Sequence, residues 1–227
     1  MPNTTAAPLV TCVCLTTHPR RAAYLPDALR SYRQQTYARR ELVVINDGAP
    51  LASNRADVRV VNLPPRGAPW TIGEKRNVGV RAARGEYLAT WDDDDVSLPA
   101  RLAEEVTAAE ATAADVIRAD GMYIADAGLS LAGRCQRGTK RPVMASALVR
   151  RDAAVRAGGY PAANYLEDAA MIERIRLVAR PRRHPRGVPL VRHAAARDQR
   201  LPRRGRGDGR IHAGRVRPLG RRGRARA

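Results

Sequence analysis

Residues 85–95 read GEYLATWDDDD. The first part of this stretch, EYLATW, is a short apolar run typical of a buried strand, and four consecutive aspartates follow it directly. Consecutive carboxylates at a strand end repel one another by on the order of 1 kcal/mol per close pair. A divalent cation would remove that repulsion, and all-oxygen ligands suit Mg²⁺ or Mn²⁺. A solvated acidic loop is the alternative explanation.

Strand and helix signals alternate on both sides of this stretch. Strands are predicted at residues 9–15, 41–47, 57–63, 86–91, 115–120, 122–126 and 143–149. Helices are predicted from Pro26, from a Thr71/Glu74 capping box to Gly85, from Ser97 and Pro99, and over 166–178. This alternation predicts an α/β fold, with a mostly parallel sheet flanked by helices.

Polar residues follow three of the predicted strands. Thr17 comes after the first strand, Asp47-Gly48 after the second, and the aspartate run after the strand at 86–91. Ligands of such sheets bind outside the carboxyl ends of the strands. We therefore expect the site at this edge.

Composition excludes several classes of protein. The chain has 227 residues, of which 44% are hydrophobic, so a wholly disordered chain is not expected. The aromatic share is 4% with no Phe, so Val, Leu, Ile and Ala must build the core. Neither a run of roughly 18 apolar residues nor a secretory signal is visible. We expect a cytoplasmic protein, with peripheral attachment at the inner membrane face as an alternative.

The basic charge is concentrated near the C-terminus. Residues 180–227 contain 17 Arg and two Asp, whereas residues 1–179 carry 24 basic and 20 acidic residues. This tail lacks apolar periodicity and is predicted to be disordered, with an anionic surface or nucleic acid as its partner. The predicted organisation is a domain at 1–179 followed by a tail at 180–227.

An ordered set of motifs resembles the family-2 glycosyltransferases, which have a GT-A, nucleotide-sugar-binding fold. The motifs are SYRQQTY (31–37), ELVVINDG (41–48), RNVG (76–79), GEYLATWDDDD (85–95), GGY (158–160), and Glu167-Asp168 followed by Arg174. Their order and spacing agree with the family over roughly residues 9–179. The resemblance implies a GT-A-like domain and a metal-dependent glycosyltransferase.

The resemblance also implies roles on the donor side. Asp47 would accept a hydrogen bond from the nucleobase, with Thr17 and Arg76 lining the same pocket. Asp92 and Asp94 would form the D-x-D motif, in which Asp94 contacts Mn²⁺ or Mg²⁺ and Asp92 contacts the ribose or the metal. The cation would neutralise the diphosphate as it leaves.

On the acceptor side, the resemblance implies that Asp168 is the general base and that the reaction inverts the anomeric carbon. The alternative is that Asp168 only stabilises the helix dipole, the role favoured for Glu167. Arg174 would pair with a phosphate or a carboxylate. The family pattern fades after Val178, where His193 is the candidate remnant of a metal-contacting histidine.

No Q-x-x-R-W signature of processive synthases is present, which favours transfer of single sugars in polysaccharide or cell-envelope biosynthesis. The expected partners are a nucleotide-diphospho-sugar donor and a glycan, lipid-linked or small-molecule acceptor. Two other functions compete with this one. The first is binding of nucleic acid or an anionic surface through the tail. The second is a sugar-nucleotide nucleotidyltransferase. Such an enzyme requires a glycine-rich phosphate loop after the first strand. The segment LTTHPRR (15–21) at this position contains no glycine, which argues against this class.

Overall fold

The computed structural model describes residues 6–119, 123–124, 134–135 and 144–178. The strands are β1 Val10–Thr16, β2 Arg40–Asn46, β3 Val58–Asn62, β4 Tyr87–Thr90, β5 Val116–Ile117, β6 Tyr123–Ile124, β7 Arg134–Cys135 and β8 Leu148–Arg150. The helices are α1 Leu25–Arg33, α2 Ile72–Ala82, α3 Arg101–Thr112, α4 Arg151–Arg156 and α5 Glu167–Val178. The predicted tail at 180–227 lies outside the described residues.

Six strands form one sheet in the order β3-β2-β1-β4-β8-β5. The strands β3, β2, β1 and β4 run parallel, and β8 is antiparallel to both of its neighbours. β6 and β7 form a separate antiparallel pair. The predicted mostly parallel α/β fold is confirmed, and β1 at its centre places Thr16 beside Asn46 of β2.

Two apolar layers cover the sheet, because alternate residues of each strand point to opposite faces. On one face, Cys12 and Cys14 of β1 pack with α1 and α3. On the other, Val13 packs with α2, α4 and α5. The indole of Trp91 lies edge-on to Tyr32, with ring centroids 6.1 Å apart. Its N–H donates to the Ala28 carbonyl at 3.1 Å, so the buried donor is satisfied.

The capping box predicted for α2 is present: Thr71 accepts from the Glu74 amide and Glu74 accepts from the Thr71 amide. The helix ends at Ala82, three residues before the predicted Gly85. Gly85 instead donates its amide to Thr11 Oγ1 of β1 at 2.9 Å. A Cβ at Gly85 would lie 2.6 Å from the Thr11 nitrogen, so this close approach to β1 requires glycine.

Helix α3 starts at Arg101, later than the predicted Ser97–Pro99 start. The Pro99 carbonyl accepts from the Thr36 amide at 2.8 Å, and the Leu98 carbonyl accepts from Gln35 at 2.7 Å. The Leu102 amide, which an earlier helical turn would donate to Leu98, donates instead to Gln35 Oε1 at 3.1 Å. Among the described residues, no helix has the length and apolarity needed to cross a bilayer.

Candidate active site

The candidate site lies at the carboxyl ends of β1, β2 and β4. These strands are parallel and adjacent, so the residues that follow them meet at one edge of the sheet. Thr17 follows β1, Asp47 follows β2, and Trp91 with the aspartate run follows β4. The first residues of α5, Glu167 and Asp168, approach this edge through contacts with α2.

Asp47 is held from two sides. Thr17 Oγ1 donates to Asp47 Oδ1 at 2.6 Å, and Lys75 Nζ of α2 lies 3.0 Å from Asp47 Oδ2. Partial burial alone would raise the pKa of Asp47, but these hydrogen bonds outweigh it and lower the pKa below its usual range. The carboxylate is therefore ionised and fixed in orientation, as an acceptor for a ligand N–H should be.

Buried Asn46 locks the loop after β2 to the loop after β1. Its Oδ1 accepts from the amides of His18 at 3.0 Å and Gly48 at 3.1 Å, and its Nδ2 donates to the Ala49 carbonyl at 2.8 Å. A Cβ at Gly48 would lie 1.9 Å from the His18 carbonyl oxygen, so only glycine allows this approach. The position of Asp47 is thus fixed by its two neighbours in sequence.

The four aspartates of the acidic run have different environments. Asp93 is 3% exposed and accepts from Arg21 Nε at 2.9 and 2.8 Å and from the Arg21 terminal nitrogen at 2.6 Å. The same terminal nitrogen lies 2.7 Å from Asp94 Oδ2, but the Asp94 side chain is 32% exposed. Asp93 is therefore a buried structural partner of Arg21, and Asp94 is the more open carboxylate.

The surroundings of Asp92 and Asp95 disfavour the ionised forms of their carboxyl groups, which a bound cation would stabilise. Desolvation raises the pKa of Asp92, and Asp94 adds to the effect, although Arg76 opposes it. Burial, together with the charges of Asp92 and Asp94, raises the pKa of Asp95 to about 7. This end of the sheet therefore attracts a cation.

The open carboxylates Asp92 and Asp94 fit a Mg²⁺ or Mn²⁺ ion that takes its other ligands from a substrate. Their side chains are 31% and 32% exposed. Over the described part of the chain, no three His, Cys, Asp or Glu side chains converge as a complete metal site. Magnesium sites commonly use one or two carboxylates together with substrate phosphates and water, so two open aspartates match that pattern.

Arg76 connects the acidic run to α5. Its Nε lies 3.2 Å from Glu167 Oε1 and a terminal nitrogen lies 3.8 Å from Asp92 Oδ1. The guanidinium is also 5.7 Å from the centroid of the Tyr160 ring. The Arg76 side chain is only 12% exposed, so this pairing takes place largely away from water.

Glu167 and Asp168 differ in accessibility. Glu167 is buried beside Arg76, and this burial raises the pKa of its carboxyl despite the nearby guanidinium. Asp168 is partly exposed, and its Oδ1 accepts from the Ala169 amide at 2.6 Å. Buried Arg118, just after β5, interacts electrostatically with Asp168. Asp168 is therefore the carboxylate of the pair that faces open space.

The RNVG and GGY motifs contact each other directly. Asn77 Nδ2 donates to the Tyr160 carbonyl at 2.8 Å, and the Tyr160 amide donates to Asn77 Oδ1 at 2.9 Å. Gly159 has φ of +73° and would place a Cβ 2.4 Å from Asn77 Oδ1. This reciprocal pair fixes the chain that leads into α5, and thereby Asp168, relative to α2.

The structure places the predicted site residues in three groups. Thr17 contacts Asp47, whereas Arg76 faces Asp92 and Glu167 rather than the Thr17–Asp47 pair. Asp94 lies against Arg21. Their functional roles stay predictions.

Arg174 is exposed on α5, and His193 lies outside the described residues. Sequence reading missed Lys75, Arg21 and Asn46 as contributors to the site. For Lys75, its place directly before the RNVG motif was the available signal.

Comparison with known proteins gives a consistent result. The family model "Glycosyl transferase family 2" matches residues 12–134. "Putative glycosyltransferase EpsH" of Bacillus subtilis (strain 168) is 35% identical over 83 residues, which cover 32% of this chain and 22% of that protein. The chain thus matches less than a quarter of this relative's length.

Solved structures share the fold. TarS 1–349 of S. aureus, in complex with UDP-GlcNAc, is 16% identical with a TM-score of 0.56, covering 73% of this chain and 54% of that one. The mannosyltransferase PcManGT from Pyrobaculum calidifontis, in complex with GDP-Man and Mn²⁺, is 16% identical with a TM-score of 0.56. This match covers 86% of this chain and 56% of the mannosyltransferase.

Proposed function

Because the chain belongs to glycosyl transferase family 2, whose model matches more than half of it, we propose that it is a metal-dependent inverting glycosyltransferase. It transfers a sugar from a nucleotide-diphospho-sugar to an acceptor hydroxyl. The acceptor is a glycan, a lipid-linked molecule or a small molecule, as in polysaccharide or cell-envelope biosynthesis.

On the donor side, Asp47 accepts an N–H of the nucleobase. Thr17 and Lys75 keep its carboxylate ionised and correctly oriented. Asp92 and Asp94 hold Mn²⁺ or Mg²⁺, which neutralises the charge of the departing diphosphate. The fold neighbours form complexes with UDP-GlcNAc and with GDP-Man and Mn²⁺, which supports a donor and a cation of these classes.

On the acceptor side, Asp168 takes the proton of the attacking hydroxyl. The acceptor oxygen forms its bond to the anomeric carbon as the bond from that carbon to the diphosphate breaks. One displacement of this kind inverts the configuration and releases a nucleoside diphosphate. Arg76 neutralises buried Glu167 and leaves Asp168 as the accessible base.

The observation that carries this proposal is the pairing of two carboxylate groups through one buried arginine. Arg76 lies between Asp92 at the end of β4 and Glu167 at the start of α5. Because Asp168, the candidate base, directly follows Glu167, this pairing holds it at the same edge of the sheet as Asp92, a proposed cation ligand. That is the arrangement a sugar transfer needs, because the leaving diphosphate and the attacking hydroxyl act on one carbon atom.

The direct test is thermal unfolding of the chain with a panel of UDP-, GDP- and dTDP-sugars, each with and without Mn²⁺. Ligand binding to the native state raises the melting temperature. We expect at least one donor to stabilise the protein only when Mn²⁺ is present. For that donor, mass spectrometry of a mixture with candidate acceptors would detect the transferred sugar. Failure of every donor to stabilise the protein in the presence of Mn²⁺ would refute the proposal.

The matched variant for the metal site is Asp94→Asn. We expect it to lose Mn²⁺-dependent nucleotide binding while keeping the fold, since the substitution also relieves carboxylate repulsion. Affinity is measured by calorimetry with the nucleoside diphosphate and Mn²⁺. Asp152→Asn, 56% exposed at the start of α4 and paired with Arg156, removes the same charge outside the acidic run and should leave binding unchanged. Unchanged affinity in Asp94→Asn would remove this residue from the metal site.

A further inference from the structure

The contact between Arg21 and the acidic run bears on how a cation would enter the proposed site. Arg21 lies between β1 and α1, on the loop that also carries Thr17. Its guanidinium makes two unequal contacts: three hydrogen bonds to buried Asp93 and a single contact from one terminal nitrogen to Asp94. The free-energy cost of breaking the contact differs between Asp93 and Asp94.

The Asp93 contact is the permanent one. Asp93 is 3% exposed, so releasing Arg21 would leave a buried carboxylate without its partner. The fork of Nε and a terminal nitrogen matches both carboxylate oxygens, which is the strong geometry for this pair. We therefore expect Arg21 to stay on Asp93 whether or not a cation is bound.

The Asp94 contact is the exchangeable one. Asp94 is about one-third exposed, and its Oδ2 lies 2.7 Å from the terminal nitrogen that also serves Asp93. Water can replace such a contact at low cost. A divalent ion binding the same carboxylate would sit about 2.1 Å from an oxygen, with its charge repelled by the guanidinium.

We propose that Arg21 is the intrinsic competitor of the metal ion for Asp94, and that it gives up Asp94 but keeps Asp93 when the cation binds. This inference rests on the proposed function, because it takes Asp94 as a metal ligand. The cation weakens binding of the guanidinium to Asp94 by the same free energy by which the guanidinium weakens binding of the cation, as linkage requires. Arg21 thereby lowers the affinity for free cation and holds the aspartate loop in place until the cation arrives.

The test compares two double variants that carry the same net charge. R21Q/D93N removes Arg21 together with the buried charge it neutralises, so no unpaired charge is left in the interior. R20Q/D93N removes the exposed neighbouring arginine instead and keeps Arg21, with Asp94 as its remaining carboxylate partner. The affinity for Mn²⁺ alone, without nucleotide, is measured by the electron paramagnetic resonance signal of free Mn²⁺. Thermal unfolding shows that both variants are folded.

We expect R21Q/D93N to bind Mn²⁺ roughly two- to fivefold more tightly than R20Q/D93N, the range that loss of one exposed ion pair implies. Equal or weaker binding would overturn the competition. Asp94→Asn in the otherwise unchanged chain separates the two proposals. If Mn²⁺ binding does not depend on Asp94, the metal site itself is wrong. If it depends on Asp94 but not on Arg21, only this inference fails.

Discussion

At the residue scale, chemistry at this site depends on which carboxylates are open and which are already paired. Asp93 and Glu167 are buried against arginines, while Asp94 and Asp168 are more accessible. In both places one acid of an adjacent pair serves structure and the other faces outward. The sequence shows two adjacent acids but does not predict which side chain is buried. The buried one is selected by an arginine from a distant segment, Arg21 for Asp93 and Arg76 for Glu167.

Asp168 is tested by Asp168→Asn. We expect donor binding to be kept and transfer to be lost, with kcat falling roughly 10²- to 10⁴-fold, because a general base acts on the chemical step. Donor affinity is measured by calorimetry, and kcat by release of the nucleoside diphosphate. Glu173→Gln, an exposed residue on the same helix, is the matched control. Near-normal turnover in Asp168→Asn would return this residue to a helix-dipole role.

Glu105 is a second buried acid, away from the proposed chemistry. It is 5% exposed, Arg101 Nε donates to its Oε1 at 3.1 Å, and its Oε2 has no hydrogen-bond partner within the described part of the chain. Burial raises the pKa of Glu105 to about 7, and the Arg101 charge only partly offsets this effect. The native protein therefore holds a proton that the unfolded chain releases above about pH 4.5.

We predict that this proton makes the free energy of unfolding fall between about pH 4.5 and pH 7. Glu105→Gln, neutral at every pH, should remove at most about 3 kcal/mol of that fall. Urea unfolding at pH 5 and pH 7.5 measures the difference between the two proteins. Exposed Glu104, one residue earlier, gives the control Glu104→Gln. A parallel pH dependence in the unsubstituted protein and Glu105→Gln would show that Glu105 is ionised throughout.

At the scale of elements, α2 is the part that positions the site. Its N-terminus binds the segment before α5, where the Gly73 amide donates to the Ala163 carbonyl and the Ile72 amide donates to Asn164 Oδ1, both at 3.0 Å. The next turn supplies Lys75 to Asp47 and Arg76 to Asp92. One helix therefore sets the distance between the proposed donor and acceptor sides.

Gly73→Ala tests this arrangement, because a Cβ there would lie 1.8 Å from the Pro161 carbonyl oxygen. The backbone must move apart, and we expect a loss of about 1–3 kcal/mol in the free energy of unfolding together with slower transfer. Gly67→Ala is the matched control, since a Cβ at Gly67 meets nothing within 4 Å. Both are measured by urea unfolding and by turnover. Equal effects of the two substitutions would contradict the role assigned to this contact.

Local sequence signals predicted the elements that local chemistry determines. The Thr71/Glu74 box gave the start of α2, and the apolar runs gave β1, β2 and β4 to within about a residue. Tertiary contacts determine two boundaries that local signals misplaced. Hydrogen bonds with Gln35 and Thr36 accompany the later start of α3. The amide of Gly85 donates to Thr11 Oγ1 and lies outside α2. Helix α4 was not predicted, because its buried side is only Ala153 and Ala154, too little for an apolar period to show.

At the scale of the whole molecule, the charge is divided unequally. Residues 1–179 are close to neutral, and the residues after them carry a large excess of arginine. The two apolar layers are built by elements that end with α5 at Val178. The domain limit near Ala179 therefore rests on this change in charge along the sequence.

We predict that residues 180–227 are dispensable for folding of the nucleotide-binding domain. Seventeen arginines against two aspartates repel one another, and the scattered Val, Leu and Ile are too few to cover a buried face. Limited trypsin digestion of the full chain should cut quickly after position 179 and leave a fragment of about 1–179 that unfolds cooperatively at the original temperature. Adding a short DNA duplex at low salt provides the control, because protection that appears only with DNA would show binding rather than packing. Resistance of the tail without any anionic partner would show that it packs on the domain and that the boundary near Ala179 is wrong.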